Sequence, residues 1–248
     1  MARRPRPDGT SPTGAEHLMQ LVRETIPPIH PKGVPFVAAP AAIALLGRKH
    51  PWVARPAALA AGACAAFFRH PTRVPPVDPS IVVAPADGTV ALVDEAVPPI
   101  EAGLGDRPLP RVSTFLSVFD VHINRTPCAA TIDVVAYRPG KFLNANADKA
   151  SEENERMALA LRRADGRVIG CVQIAGWVAR RIVCYVKPGQ AVAAGERFGH
   201  IRFGSRTDLY LPAGARLLVS AGQRMIGGET VMAELDPGRT EPRTAIEF

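Results

Sequence analysis

Aromatic residues are scarce: two Trp, three Tyr and nine Phe in 248 residues. Surfaces that bind nucleic acid interleave aromatic and basic side chains, and the basic first third of this chain lacks that pattern. Its four cysteines, Cys64, Cys128, Cys171 and Cys184, form no CxxC pair and no zinc spacing. They therefore point to no disulfide frame and no metal centre, and a reducing compartment fits them. No apolar run reaches the roughly 20 residues that a simple membrane span needs. The first apolar stretch starts too late, and without the ordered regions, to be a cleaved signal peptide. Excess charge is absent from most of the chain. The first 77 residues hold ten Lys/Arg and three acidic residues; the rest hold twenty of each.

What the first third does contain is basic and apolar. Residues 1–16 are Pro, Gly, Ser and charge, a composition with little to bury. Two apolar stretches follow, Val34–Gly47 and Trp52–Phe68, each interrupted by proline. "RKHP" separates them and "RHPTR" follows. Three readings fit: segments lying on or re-entering lipid, a tight two-helix membrane hairpin, or helices buried in a soluble core. Basic flanks favour the first two, because apolar residues insert while Arg and Lys meet lipid phosphates. Residues 1–77 are thus expected to be a helical, apolar membrane-attachment region. Its partner would be an anionic phospholipid membrane, not nucleic acid. The location would be the cytoplasmic face of the cell membrane, with peripheral or hairpin anchoring.

After Val77 the composition changes. "IVVAPADGTVALVDEAV", "RVSTFLSVFDVHI", "ATIDVVAYRPG" and "RVIGCVQIAGWVARRIVCYVKPG" are rich in Val, Ile, Thr and Phe, with Gly, Pro and Asp at the breaks. These are strand and turn signals. Only residues 148–164, "DKASEENERMALALRRA", read as helix-prone. Residues 78–248 are predicted to form one mainly β domain with a short helix-prone insert. An internal echo supports paired hairpins: "GQAVAAGERFGHI" from Gly189 and "GQRMIGGETVMAEL" from Gly222, offset by 33 residues. The first copy resembles the hairpins of barrel-sandwich, lipoyl-like domains. No lysine occupies a carrier-type tip, which argues against a swinging-arm carrier.

One strand-like stretch, "HIRFGSRTDLYLP" (200–212), carries Gly204-Ser205 in its interior. Glycine there marks a bulge or a close backbone approach. A second reading is chemical. The Ser205 hydroxyl can attack the carbonyl carbon of Gly204, which has no side chain to block it. Elimination and hydrolysis then leave a ketone at the new terminus. Such a ketone condenses with an amine and acts as an electron sink for decarboxylation, as pyridoxal phosphate does. A serine hydroxyl needs a base, and an orienting acid, to become a nucleophile. His122, in "FLSVFDVHINRTPC", and Asp87, in "VAPADGTV", are the candidates.

With those residues assembled, the sequence resembles the phosphatidylserine decarboxylases of the short bacterial type. The matching pieces are "FFRHPTRVPP", "PADGTV", "FLSVFDVHINRTP", "GKFLNANADKASEENER" and "RFGSRTDLYLP". The resemblance implies a proenzyme cut between Gly204 and Ser205, giving a β chain (1–204) and an α chain (205–248) that stay together as a heterodimer. It implies a covalent pyruvoyl group derived from Ser205, and conversion of phosphatidylserine to phosphatidylethanolamine and CO2 through a Schiff base. Ser205, His122 and Asp87 would be catalytic. Longer bacterial members carry a second histidine where this chain has Arg125, so either His122 serves both steps or another group takes one. Asn144, Asn154 and Arg156 are candidates to line the headgroup site, Arg206 for a lipid phosphate or a solvated strand position, and His200 for a structural or surface role. Two alternatives remain: a pyruvoyl decarboxylase of another serine-headgroup lipid or amino acid, and an uncut lipoyl-like binding module.

Overall fold

Alanine, the best helix former, dominates the two helices of the first third, Val34–Leu46 and Pro51–Phe67. Each carries a proline in its first turn, where the missing N–H costs nothing. The computed structural model describes residues 14, 27–140, 154–176, 182–201 and 205–236. The chain divides into two compact units, Met1–Thr72 and Arg73–Phe248.

In the first unit the two helices contact each other, and the chain on either side of them is tied together. The His30 N–H donates to the Phe68 carbonyl and the His70 N–H to the Pro28 carbonyl, both at 2.9 Å. Phe36 stacks on Phe68 with ring centres 5.3 Å apart. Gly33 permits this closure, since a Cβ there would lie 2.3 Å from the Phe68 side chain. Leu46, Trp52 and Leu59 remain exposed. Among the described residues no helix is long and apolar enough to cross a membrane.

The second unit is mainly β. Its strands in chain order are β1 (Ile81–Val83), β2 (Gly88–Ala96), β3 (Leu109–Leu116), β4 (Ile123–Arg125), β5 (Ala130–Arg138), β6 (Arg156–Arg162) and β7 (Val168–Ala175). There follow β8 (Ile182–Cys184), β9 (Ala191–Val192), β10 (Arg197–Ile201), β11 (Ser205–Tyr210), β12 (Arg216–Leu217), β13 (Arg224–Met225) and β14 (Val231–Glu234). An eight-stranded sheet runs β13-β2-β3-β11-β7-β6-β5-β9; two three-stranded sheets run β1-β14-β12 and β4-β10-β8. Val90, Val112, Ile132, Leu159, Cys171, Phe198 and Leu209 belong to the main apolar core.

Residues 148–164 do not form the expected helical insert where they are described: 156–162 are strand β6. Ala158, Leu159, Ala160 and Leu161 are all buried, so this strand has no polar face to offer water. Pairing with β5 on one side and β7 on the other overrides the helix-favouring composition. Residues 148–153 lie outside the described residues.

The internal echo is structural. Its two copies supply β9 and β13, the opposite edges of the eight-stranded sheet. Gly189 and Gly222 both take positive φ, 83° and 87°. Their N–H groups donate to Ile132 and Val90 carbonyls at 2.7 and 2.8 Å. The following glutamines, Gln190 and Gln223, each accept from a backbone N–H three residues earlier.

Candidate active site

Ser205 is the first residue of β11, a central strand, and pairs with Leu116 of β3 and Ala175 of β7. It is fully buried, and its Oγ has no hydrogen-bond partner among the described residues. A buried hydroxyl without a partner is costly and rare. Gly204 lies outside the described residues.

Asp87 sits just before β2. Gly88 has φ 153°, and a Cβ there would fall 2.2 Å from the Phe115 carbonyl oxygen. This close approach, which only glycine tolerates, seats the Asp-Gly turn against the end of β3, next to Leu116. Asp87 Oδ2 accepts from Arg73 Nη2 at 2.6 Å and Oδ1 accepts from the Gly227 N–H at 2.8 Å. Both side chains of the Arg73–Asp87 pair are only 15% exposed.

His122 is buried, and its Nδ1 lies 2.8 Å from the Asp120 carbonyl. A carbonyl only accepts, so Nδ1 carries a proton, and in the neutral form of the ring the lone pair lies on Nε2. The Ile201 N–H donates to the His122 carbonyl at 3.3 Å. That bond extends the β4–β10 ladder to the residue just before the 202–204 segment that leads to Ser205. Asp87, His122 and Ser205 thus lie toward one end of the large sheet. They are not linked as a hydrogen-bonded chain, because Ser205 Oγ bonds to neither of the others.

Arg125 is buried and donates from Nη1 to the Gly195 carbonyl at 2.8 Å. Burial first, then the Arg197 and Arg73 charges, lower it to about 10, with Asp87 opposing. Asp120 caps its own turn: Oδ2 accepts from the Ser117 N–H at 2.8 Å and from Ser117 Oγ at 2.7 Å, and Oδ1 accepts from Arg224 at 2.5 Å. Burial would raise the Asp120 pKa, but the Arg224 and Ser117 hydrogen bonds outweigh it and leave a lowered value.

The profile of the phosphatidylserine decarboxylase family matches residues 61–233. The chain belongs to the phosphatidylserine decarboxylase family. Relatives named phosphatidylserine decarboxylase proenzyme agree over nearly the whole length. The Rhodococcus erythropolis protein is 57% identical over 236 residues, 95% of this chain and 100% of the relative. That of Nocardia farcinica is 55% identical over the same shares. That of Mycobacterium tuberculosis is 52% identical over 234 residues, 94% of this chain and 99% of the relative. The stretch matched to the phosphatidylserine decarboxylase family contains Asp87, His122, Gly204 and Ser205.

Several side chains take places that the sequence left open. Arg206 is buried, not solvated, and donates to Asp208 from Nε (2.6 Å) and Nη2 (2.9 Å). That engagement leaves it closed on a carboxylate instead of open to a phosphate. His200 is buried and pairs with the Tyr185 hydroxyl, so it is a core residue and not a surface one. Asn154 Nδ2 donates at 2.8 Å to the carbonyl of Ala175, the strand partner of Ser205. Arg156 pairs with Glu101. Asn144 lies outside the described residues. Sequence reasoning missed Arg73 and the Gly227 amide, which hold Asp87. The "FFRHPTR" motif contained Arg73, but nothing local connects it to a turn 14 residues later.

Proposed function

We propose that this chain is a proenzyme that cuts itself between Gly204 and Ser205 and then converts phosphatidylserine to phosphatidylethanolamine and CO2. The carrying observation is Ser205 itself: fully buried, at the start of a central strand, with a hydroxyl that bonds to nothing described. Residue 205 fits a pyruvoyl group, since Leu116 and Ala175 flank it from both neighbouring strands. Once formed, that carbonyl supplies the electron sink that decarboxylation of an amine-bearing substrate needs.

The protein groups then have distinct roles. His122, its ring fixed through Nδ1, offers Nε2 as the base for the Ser205 hydroxyl and later as a proton carrier. Asp87, clamped by Arg73 and the Gly227 amide, supplies a fixed carboxylate. With Arg125 occupying the second motif position, His122 serves both steps in this reading. The two related hairpins at the sheet's edges support a barrel-sandwich, lipoyl-like arrangement of the catalytic part, residues 78–248. Chains 1–204 and 205–248 would form the mature heterodimer.

Intact-mass analysis tests the cut. Scaling 26.4 kDa by length, the expected products are about 22 and about 5 kDa, the smaller with a ketone in place of its amino terminus. A single full-length species in active protein would overturn the reading and favour an uncut binding module.

We also propose that residues 1–77 attach the enzyme to anionic lipid at the cytoplasmic face of the cell membrane. The exposed Leu46, Trp52 and Leu59, beside Arg48, Lys49 and Arg55, support this. Raising salt from about 0.05 to 0.5 M should weaken binding to phosphatidylglycerol vesicles several-fold, because lipid attraction by Lys/Arg is screened. Salt-independent binding would assign attachment to apolar insertion alone.

A further inference from the structure

Strand β11 turns alternate side chains to opposite faces. Arg206 and Asp208 face one way and satisfy each other. Ser205, Thr207 and Leu209 face the other way. Thr207 lies opposite Thr114 on β3 and opposite Gln173 on β7. Three polar side chains therefore stand abreast, one row behind Ser205 and one row ahead of apolar Val112, Leu209 and Cys171.

Asn124 of β4 completes the group. Gln173 Nε2 donates to Asn124 Oδ1 at 2.6 Å. Gly199, paired with Asn124, leaves room for that amide, since a Cβ there would lie 3.0 Å from Gln173 Nε2. Thr114, Asn124, Gln173 and Thr207 are all fully buried. Even so, Thr114 Oγ1, Thr207 Oγ1, Gln173 Oε1 and Asn124 Nδ2 have no hydrogen-bond partner among the described residues, like Ser205 Oγ beside them. A sheet interior serves folding better with valine at such positions. Directly opposed side chains stand about 5 Å apart at Cβ, a gap that a water molecule bonded to both can bridge. Buried water typically bonds two to four otherwise unsatisfied polar groups, about what this cluster offers.

We propose that Thr114, Asn124, Gln173 and Thr207 hold ordered water one row behind Ser205, and that this water is consumed when the cut chain acquires its ketone. The proposal rests on the self-cutting reading above. In that sequence Ser205 Oγ bonds to the Gly204 carbonyl carbon and the amide C–N bond breaks, the nitrogen taking the hydroxyl proton. Cα of residue 205 then loses a proton and its Cβ–Oγ bond breaks, so that Gly204 departs as a carboxylate. The enamine left at residue 205 shifts a proton to become an imine. Water oxygen bonds to Cα, the C–N bond breaks, and the nitrogen leaves as ammonia. One water is used, one ammonia is released, and nothing is oxidised or reduced. Residue 205 is fully buried, and a store inside the sheet places water one row from its Cα. The cluster contains no ionisable group, so the stored water stays neutral until the imine forms.

The test is Thr114→Val/Thr207→Val in the full-length chain, with two readouts. Cut fraction is followed by gel, and ketone per cut chain by an aminooxy probe with mass analysis of the short chain. Cutting is expected to proceed while the ketone appears about tenfold more slowly, with Thr114→Ser/Thr207→Ser recovering the rate. Ketone on every cut chain at the unmodified rate would overturn the proposal. A crystal structure of the uncut Ser205→Ala chain is the second test. Water bonded to Thr207 Oγ1 and Gln173 Oε1 is expected, and a dry cluster overturns the proposal whether or not the natural chain cuts. If the valine variant does not fold, this structure alone decides. A natural chain that never cuts sinks the functional reading instead.

Discussion

Ser205→Ala is expected to accumulate as one full-length chain with no ketone and no decarboxylase activity. The hydroxyl is the only group at that position able to attack the preceding carbonyl, so the loss should be complete, with the cut product below detection after days. The fold should survive. Ser205 Oγ bonds to nothing described, and removing an unsatisfied buried hydroxyl shifts stability by only about 1 kcal/mol or improves it. Mass analysis and a melting curve on the same sample check both halves. A cut Ser205→Ala chain would refute the attack by this hydroxyl.

Asp87→Asn is expected to slow cutting by about a hundredfold, the lower range for losing a positioned acid–base group. The geometry explains why the substitution is informative. Asparagine keeps the oxygen that accepts from the Gly227 N–H but turns an amide NH2 toward Arg73, replacing the 2.6 Å ion pair with two opposed donors. Because the pair is largely buried, a stability loss of about 1–3 kcal/mol should accompany the kinetic effect. Cutting half-time and melting temperature are measured together. A normal half-time would remove Asp87 from the mechanism, and a slow half-time with unchanged melting would show that its role is chemical and not architectural.

Gly204-Ser205 stands out in the sequence because it contradicts its surroundings: a glycine and a small polar residue interrupt a strand pattern without closing a turn. Asp87 was legible as an Asp-Gly turn at a strand start. The repeated Gly-Gln hairpins were legible because a positive-φ glycine followed by a turn-bonding glutamine is a local device, written the same way twice. Strand β6 was not legible. "RMALALR" has no polar alternation, and only its position between two other strands decides its conformation. Arg73, the Gly227 amide and the Thr114–Gln173–Thr207 row were hidden for a related reason. Each draws its meaning from partners distant in sequence, from 14 residues for Arg73 and Asp87 to 140 for Gly227 and Asp87, which no local spacing encodes. Arg206 and Asp208 look like ordinary surface charges two residues apart, and only the burial of β11 on both faces makes them a closed pair.

The position of β11 has a further consequence. In the proposed cut, the freed segment would start at Ser205, the first residue of that strand. That segment begins with a strand clasped between β3 and β7 and goes on to contribute β12, β13 and β14 to two sheets. Severing the backbone there would therefore release nothing. The proposed cut would turn a molecule that folds alone into a two-part lock whose smaller part, once pulled out by denaturant, would have to find its slot again by diffusion. The mature protein proposed above would be a single-use assembly: its endurance would be set by how slowly that inner strand escapes, and dilution, harmless to the precursor, would work against its return.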